Sequence, residues 1–265
     1  MKGIWVTAAG VSVLLLVAAV SGRGADGLPR LPDGKPNLSG IWQAMNTANW
    51  DLQDHAAGPG LVVALGAEGA EPGGVGVVEG GEIPYLPAAK KQKAINFAHR
   101  LTADPEIKCY LPGVPRATYM PYPFQILHSE KAIFFAYEYA GAVRNVYLQD
   151  PGPAPADSWM GQSVGHWDGD TLVLDVTGLD ERTWLDRAGD YHSDALHVTE
   201  RYTLRTPEVM DYEATIEDPK VFSQPWKIQM PLYRHVEKGA RLLEFKCVEF
   251  AEELMYGGLA KKPAK

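Results

Sequence analysis

Three charged residues fall where strand alternation would place apolar ones. In residues 196–204 Glu200 shares a face with Val198, Tyr202 and Leu204, because side chains two apart on a strand point the same way. In residues 143–149 Arg144 shares a face with Val146 and Leu148, and in residues 131–139 Glu138 follows Ala132, Phe134 and Ala136. Buried charges persist only when paired, so the expected arrangement is an inward Arg144 between Glu138 and Glu200. It has two readings. One is the polar floor of a ligand cavity, with Glu200 as acid or base and Arg144 holding an anion or tuning Glu200. The other is an ion pair in a packed core. Tyr137 and Tyr202 could donate to developing negative charge. Alternation sets Tyr137 opposite Glu138, so these residues cannot all face one cavity.

A second group lies in residues 183–194 (TWLDRAGDYHSD), between two strands and too long for a tight hairpin. His192, and His197 just beyond it, are the titratable candidates, with Asp186, Asp190 and Asp194 nearby. A histidine beside a carboxylate can act as a general base. The alternative is a solvated loop whose carboxylates cap turns. Trp184 in this loop and Tyr122 are candidate substrate contacts. Tyr122 belongs to an aromatic and proline-rich stretch with Tyr110, Tyr119 and Phe124, fit either for pocket walls or for a plug over a barrel end.

Metal and nucleotide chemistry find no motif. His192 and His197 are not at a ligand spacing, no His-Glu-x-x-His or short Cys pair is present, and Asp168-Gly169 reads as a hairpin turn. Gly73–Gly76 lacks the strand-to-helix context of a dinucleotide loop. No metal and no cofactor are therefore expected.

Positioning these residues falls to a β-rich scaffold. Residues 131–139, 143–149, 163–167, 171–177, 196–204, 209–217, 226–234 and 241–250 are all compatible with strands, and residues 37–43 read as a first strand. Consecutive strands with no helices between them predict an antiparallel meander, which closes into a barrel or strongly curved sheet to remove its edges. The best helix candidate is residues 87–100, with Pro87 at its start and Ala94, Phe97, Ala98 and Leu101 on one face. The Gly-rich residues 56–84 predict loops. One domain, 22–265, is expected: an irregular arm with the helix over 22–125, the meander over 126–250 and a tail over 251–265.

Composition sets the compartment and partners. The 265 residues carry 25 Lys plus Arg against 33 Asp plus Glu, a net charge of −8, with no basic stripe for nucleic acid. Lys2, the apolar run 4–20 and Ala19-Val20-Ser21 form a signal peptide over 1–21, predicting a periplasmic or extracellular protein with no membrane span after cleavage. In an oxidising compartment Cys109 and Cys247 are disulfide candidates. Such a bridge would be worth on the order of 4–5 kcal/mol. Two buried free thiols, or one catalytic Cys, are the alternatives.

Several segments together resemble an uncharacterised family of exported bacterial proteins. They are residues 104–116 (DPEIKCYLPGVPR), 193–202 within HSDALHVTERY, and 242–250 (LLEFKCVEF), with Asn37–Trp42, Gly80–Tyr85, Trp167–Leu172 and Glu217–Pro219. The resemblance covers most of the chain beyond the signal segment and brings no settled activity. The early Gly40-Ile41-Trp42 is also similar to the opening of lipocalin-type barrels, which implies an up-and-down barrel holding a small ligand.

The expected function is action on a small molecule. One reading is a cofactor-independent lyase or isomerase using acid–base chemistry on a small, partly aromatic substrate, with Glu200 or His192 moving the proton. The alternatives are a periplasmic carrier without catalysis and an envelope protein with a filled barrel.

Overall fold

The computed structural model describes residues 22–23, 27–60, 70–251 and 254, so the signal peptide expected over residues 1–21 lies outside the described residues. A short ribbon pairs β1 (Gly22–Arg23) with β2 (Pro29–Arg30). Nine further strands follow: β3 (Gly40–Ala44), β4 (Phe124–His128), β5 (Ile133–Tyr137), β6 (Val143–Tyr147), β7 (Gln162–Asp168), β8 (Thr171–Thr177), β9 (His197–Thr206), β10 (Val209–Glu217) and β11 (Trp226–Arg234). They close into one barrel in the order β10-β11-β3-β4-β5-β6-β7-β8-β9. An odd number of strands cannot close with every neighbour antiparallel. The odd step falls between β6 and β7, which pair in parallel, and residues 148–161 supply the crossover that parallel strands require. All other barrel pairs are antiparallel, as the meander pattern predicts.

Alternation fills the interior. Val198, Glu200, Tyr202 and Leu204 of β9 are buried, and Met210, Tyr212, Ala214 and Ile216 of β10 face them. Trp42, Phe124, Phe135, Tyr202 and Tyr212 are among the largest fully buried side chains. Packing leaves no slack on the β6–β8 side. A Cβ added at Gly165 would lie 2.5 Å from Val146 Cγ1 and 3.0 Å from Leu174 Cδ2.

Two sequence expectations change here. Residues 241–250 form no strand. The barrel closes through β11 on β3, which leaves this segment without an edge to join. It lies against the irregular part of the chain instead. Cys247 bonds Cys109, the Phe245 ring sits 4.8 Å from that of Tyr139, and Phe250 N–H donates to the Ile107 carbonyl at 2.9 Å. The helix α1 (Pro87–Ala98) forms, but Phe97 and Leu101 are exposed. Its inward stripe is Ala89, Lys93, Asn96 and, in α2 (Arg100–Ala103), Arg100. Polar side chains face inward there because polar partners meet them.

The arm and loops cap the barrel. In α3 (Arg116–Tyr119) all four residues are buried, and Tyr119 Oη donates to the Leu185 carbonyl at 2.7 Å, tying α3 to the loop before β9. Among the described residues no helix is long and apolar enough to cross a membrane.

Candidate functional site

Glu200 and Arg144 meet inside the barrel. Arg144 Nη2 donates to Glu200 Oε2, its Nε to Ser163 Oγ at 3.0 Å and its Nη1 to Tyr137 Oη at 3.2 Å. Tyr202 Oη and Tyr212 Oη donate to Glu200 Oε1 at 2.9 and 2.8 Å. Burial alone would lower the Arg144 pKa, but the Glu200 carboxylate raises it well above its ordinary value. Burial, and then Glu200, push both phenols up. Glu200 is 0% and Arg144 2% exposed, so water reaches neither, and every strong donor and acceptor has a partner. This is an ion pair in a packed core.

Other predicted residues lie elsewhere. Glu138 is not the third member of that pair: the inward face of β5 carries Ile133, Phe135 and Tyr137, so Glu138 turns outward and accepts from Leu243 N–H at 2.7 Å. His192 is buried, with Nδ1 on the Ser193 carbonyl at 2.8 Å and Nε2 on Thr183 Oγ1 at 2.5 Å. Burial lowers its pKa, and both ring nitrogens are engaged, so it is a strut of the loop. His197 lies on the outer barrel wall between Glu217 (3.1 Å) and Asp175 (3.3 Å). Trp184 is buried in a bridge to Tyr191, and Tyr122 packs on Tyr139 and Phe245. The structure joins Glu200, Arg144, Tyr137 and Tyr202, and separates His192, His197, Trp184, Tyr122 and Glu138 from them.

A buried ionic plug lies under the arm. Arg116 forks onto Asp104 (2.9 and 3.0 Å) and reaches Glu106 Oε2 at 2.6 Å, while Arg187 grips both Glu106 oxygens at 2.8 Å. Asn49 accepts from Arg116 Nε at 2.8 Å. Burial opposes ionisation of Glu106, but Arg116 and Arg187 outweigh it and pull its pKa down to about 2. Two positive and two negative charges balance here.

Beside this plug lies a cluster that does not balance. Asp51, Asp186 and Asp190 each offer an oxygen within 4.8 Å of the others. Asp186 and Asp190 are fully buried. Backbone N–H groups orient them: Leu52 donates to Asp186 Oδ2 at 2.9 Å, Asp190 to Asp186 Oδ1 at 3.0 Å, and Gln53 to Asp51 Oδ1 at 2.8 Å. Tyr85 Oη donates to Asp190 Oδ1 at 2.8 Å, and Lys93 Nζ stands 3.7 Å from the same oxygen. Burial, reinforced by Asp190, raises the Asp186 pKa well above the carboxylate range, and burial also raises that of Asp51. Lys93 would be lowered by burial, but the three carboxylates raise it. Gly189 lets the loop reach α1. It adopts φ +86°, and a Cβ there would sit 2.7 Å from Phe97 N.

Asp51 connects the cluster to a cleft of about 330 Å³, within the lower range of small-molecule sites. Its walls include Trp50, His55, Phe97, Arg100 and Arg187. His55 Nδ1 lies 2.8 Å from the Gln53 carbonyl, which can only accept, so Nδ1 carries a proton, and in the tautomer protonated there alone Nε2 is an acceptor. Three buried side-chain polar atoms lack a partner among the described residues, and two of them, His55 Nε2 and Asp190 Oδ2, belong to this cleft and its cluster. The oxygen-rich cluster is also the place where a hard cation could be held.

No family model, curated protein or solved structure matches the chain. Sequence reasoning named Asp186 and Asp190 only as neighbours of His192, and passed over Asp51, His55, Tyr85 and Lys93. One signal pointed to the site: in the helix pattern, Lys93, Asn96 and Arg100 form a polar stripe at spacings of three and four.

Proposed function

We propose that the protein is exported, acts on a compact small molecule by acid–base chemistry of the lyase or isomerase kind, and does so in the cleft beside Asp51 and His55 instead of inside the barrel. The observation that carries this reading is the pair of acceptors without a partner among the described residues, His55 Nε2 and Asp190 Oδ2. A buried polar atom without a partner costs about 1–3 kcal/mol, a cost that a ligand donor would remove. His55 is the base in this reading, because the residue lines the cleft and does not belong to the carboxylate cluster. Arg187 and Arg100 stand over Trp50 and Phe97 at 4.4 and 4.2 Å while pairing with Glu106 and Glu71, giving flat guanidinium-on-ring walls that suit a flat substrate. The Cys109–Cys247 bond is compatible with export, which the apolar N-terminus also favours.

The test is incubation of the protein lacking residues 1–21 with a pool of aromatic and hydroxylated metabolites, followed by mass spectrometry. We expect one compound to be depleted and a product to appear, with the conversion lost in His55→Gln. Equal conversion by His55→Gln would remove the assignment to this cleft. A compound retained unchanged would make the protein a carrier.

A further inference from the structure

We propose that Asp51, Asp186 and Asp190 bind a hard divalent cation of the Ca²⁺, Mg²⁺ or Mn²⁺ class. The inference goes beyond the acid–base reading of the neighbouring cleft and does not depend on it.

Geometry is the first ground. One oxygen from each of three carboxylates lies within 4.8 Å of the others. Oxygens bound to Ca²⁺ at about 2.3–2.6 Å are separated by up to roughly 5 Å, so the three span one coordination sphere. The ligands are also pre-oriented, since backbone N–H groups of Leu52, Gln53 and Asp190 hold Asp186 and Asp51. Outer hydrogen bonds of this kind fix metal ligands in place.

Charge is the second. Fully ionised, the three carboxylates and the Lys93 ammonium carry two net negative charges, which one divalent cation cancels. The neighbouring Arg116, Arg187, Asp104 and Glu106 carry two positive and two negative charges and leave this count unchanged.

The third ground is independent of the clustering. Asp190 is fully buried, its Oδ1 takes Tyr85 and faces Lys93, and its Oδ2 has no partner among the described residues. A cation at the cluster gives that oxygen one. All three donors are carboxylate oxygens, which selects hard ions over zinc or copper. Asp51, the partly exposed member, lines the cleft and provides the route of entry. Once bound, such an ion would place a Lewis acid at the cleft wall.

The competing account is a proton shared between Asp186 and Asp190, and the experiment separates the two. The full protein is stripped with chelator, then titrated with CaCl₂, MgCl₂ and MnCl₂ at constant ionic strength by calorimetry and by thermal unfolding. Terbium emission sensitised through Tyr85 and Trp50 gives a spectroscopic readout. We expect one ion per chain, a raised melting temperature, and terbium emission that the bound ion displaces. Asp190→Asn should weaken binding more than roughly tenfold. Asp170→Asn, an exposed acid paired with Arg30 on the barrel's outside, should bind as the parent does. His55→Gln should also bind the ion, so a failed acid–base reading leaves this result intact. No binding by the folded parent protein would overturn the proposal, as would equal binding by Asp190→Asn. Cation-independent stabilisation by Asp190→Asn, without binding in the parent, would establish the shared proton.

Discussion

Removing Glu200 decides whether the barrel interior is structural. In Glu200→Gln the remaining carbonyl oxygen can still accept from Tyr202 and Tyr212. The amide nitrogen then faces Arg144 Nη2, donor against donor, and the guanidinium loses its counter-charge. Arg144 keeps Ser163 and Tyr137, both neutral, while its side chain stays 1% exposed. Breaking a buried pair from one side costs about 3–5 kcal/mol, a large share of the roughly 5–15 kcal/mol that stabilises a typical domain. Arg144→Met should cost a similar amount, because Glu200 would keep two phenol donors and no cation. The double variant, Arg144→Met with Glu200→Gln, buries no charge and should cost less than the sum by about 2–3 kcal/mol. Urea unfolding followed by tryptophan fluorescence, with the disulfide intact, measures all four corners of the cycle. A Glu200→Gln cost below about 1 kcal/mol, or additive singles, would mean that water reaches the carboxylate. The exclusion of Glu200 from chemistry would then fall.

Two further outcomes follow from the plug and the bridge. Glu106 has a folded pKa of about 2 against an ordinary 4.5, so its stabilising contribution is complete above about pH 4.5 and is lost as pH falls toward 2. The displacement corresponds to roughly 3 kcal/mol. Melting temperatures measured across that window should fall less steeply for Glu106→Gln than for the parent, and identical slopes would refute the assignment. The disulfide joins residues 138 apart, worth about 5 kcal/mol in the chain-entropy model. Cys109→Ser with Cys247→Ser should therefore unfold at markedly lower urea, and an unchanged midpoint would show that packing of Phe245 on Tyr139 holds the segment by itself.

The barrel was legible because its signal is local. Alternation in residues 196–204 and 209–217 sets the face of every side chain two apart, and β9 and β10 obey it down to the buried Glu200. The same rule carries Arg144 inward and Tyr137 beside it. It also turns Glu138 out: Ala132, Phe134 and Ala136 make its face apolar, yet the larger Ile133, Phe135 and Tyr137 form the inner face of β5, so Glu138 is no ion-pair partner of Arg144. Pairing partners were less legible. Nothing in residues 40–44 reveals that they close the barrel against β11, or that residues 241–250, equally strand-like, are thereby left out. Closure is decided between segments far apart in the chain.

The carboxylate cluster was illegible for the same reason, with one more step. Asp51, Asp186 and Asp190 each sit in turn-rich sequence, where an aspartate is already explained by local hydrogen bonds. What assembles them is a contact between Leu52 and Asp186, 134 residues apart, and a glycine that admits the α1 backbone where no side chain fits. Neither leaves a spacing in the sequence. The barrel and the arm divide the charges accordingly: Glu200 pairs with Arg144 and Glu106 with Arg116 and Arg187, whereas among the described residues Lys93 is the cation that forms an ion pair with the cluster of three aspartates. A fold that satisfies its other buried carboxylates has the means to satisfy these. The imbalance beside an open cleft is therefore the feature of this molecule that calls for a ligand.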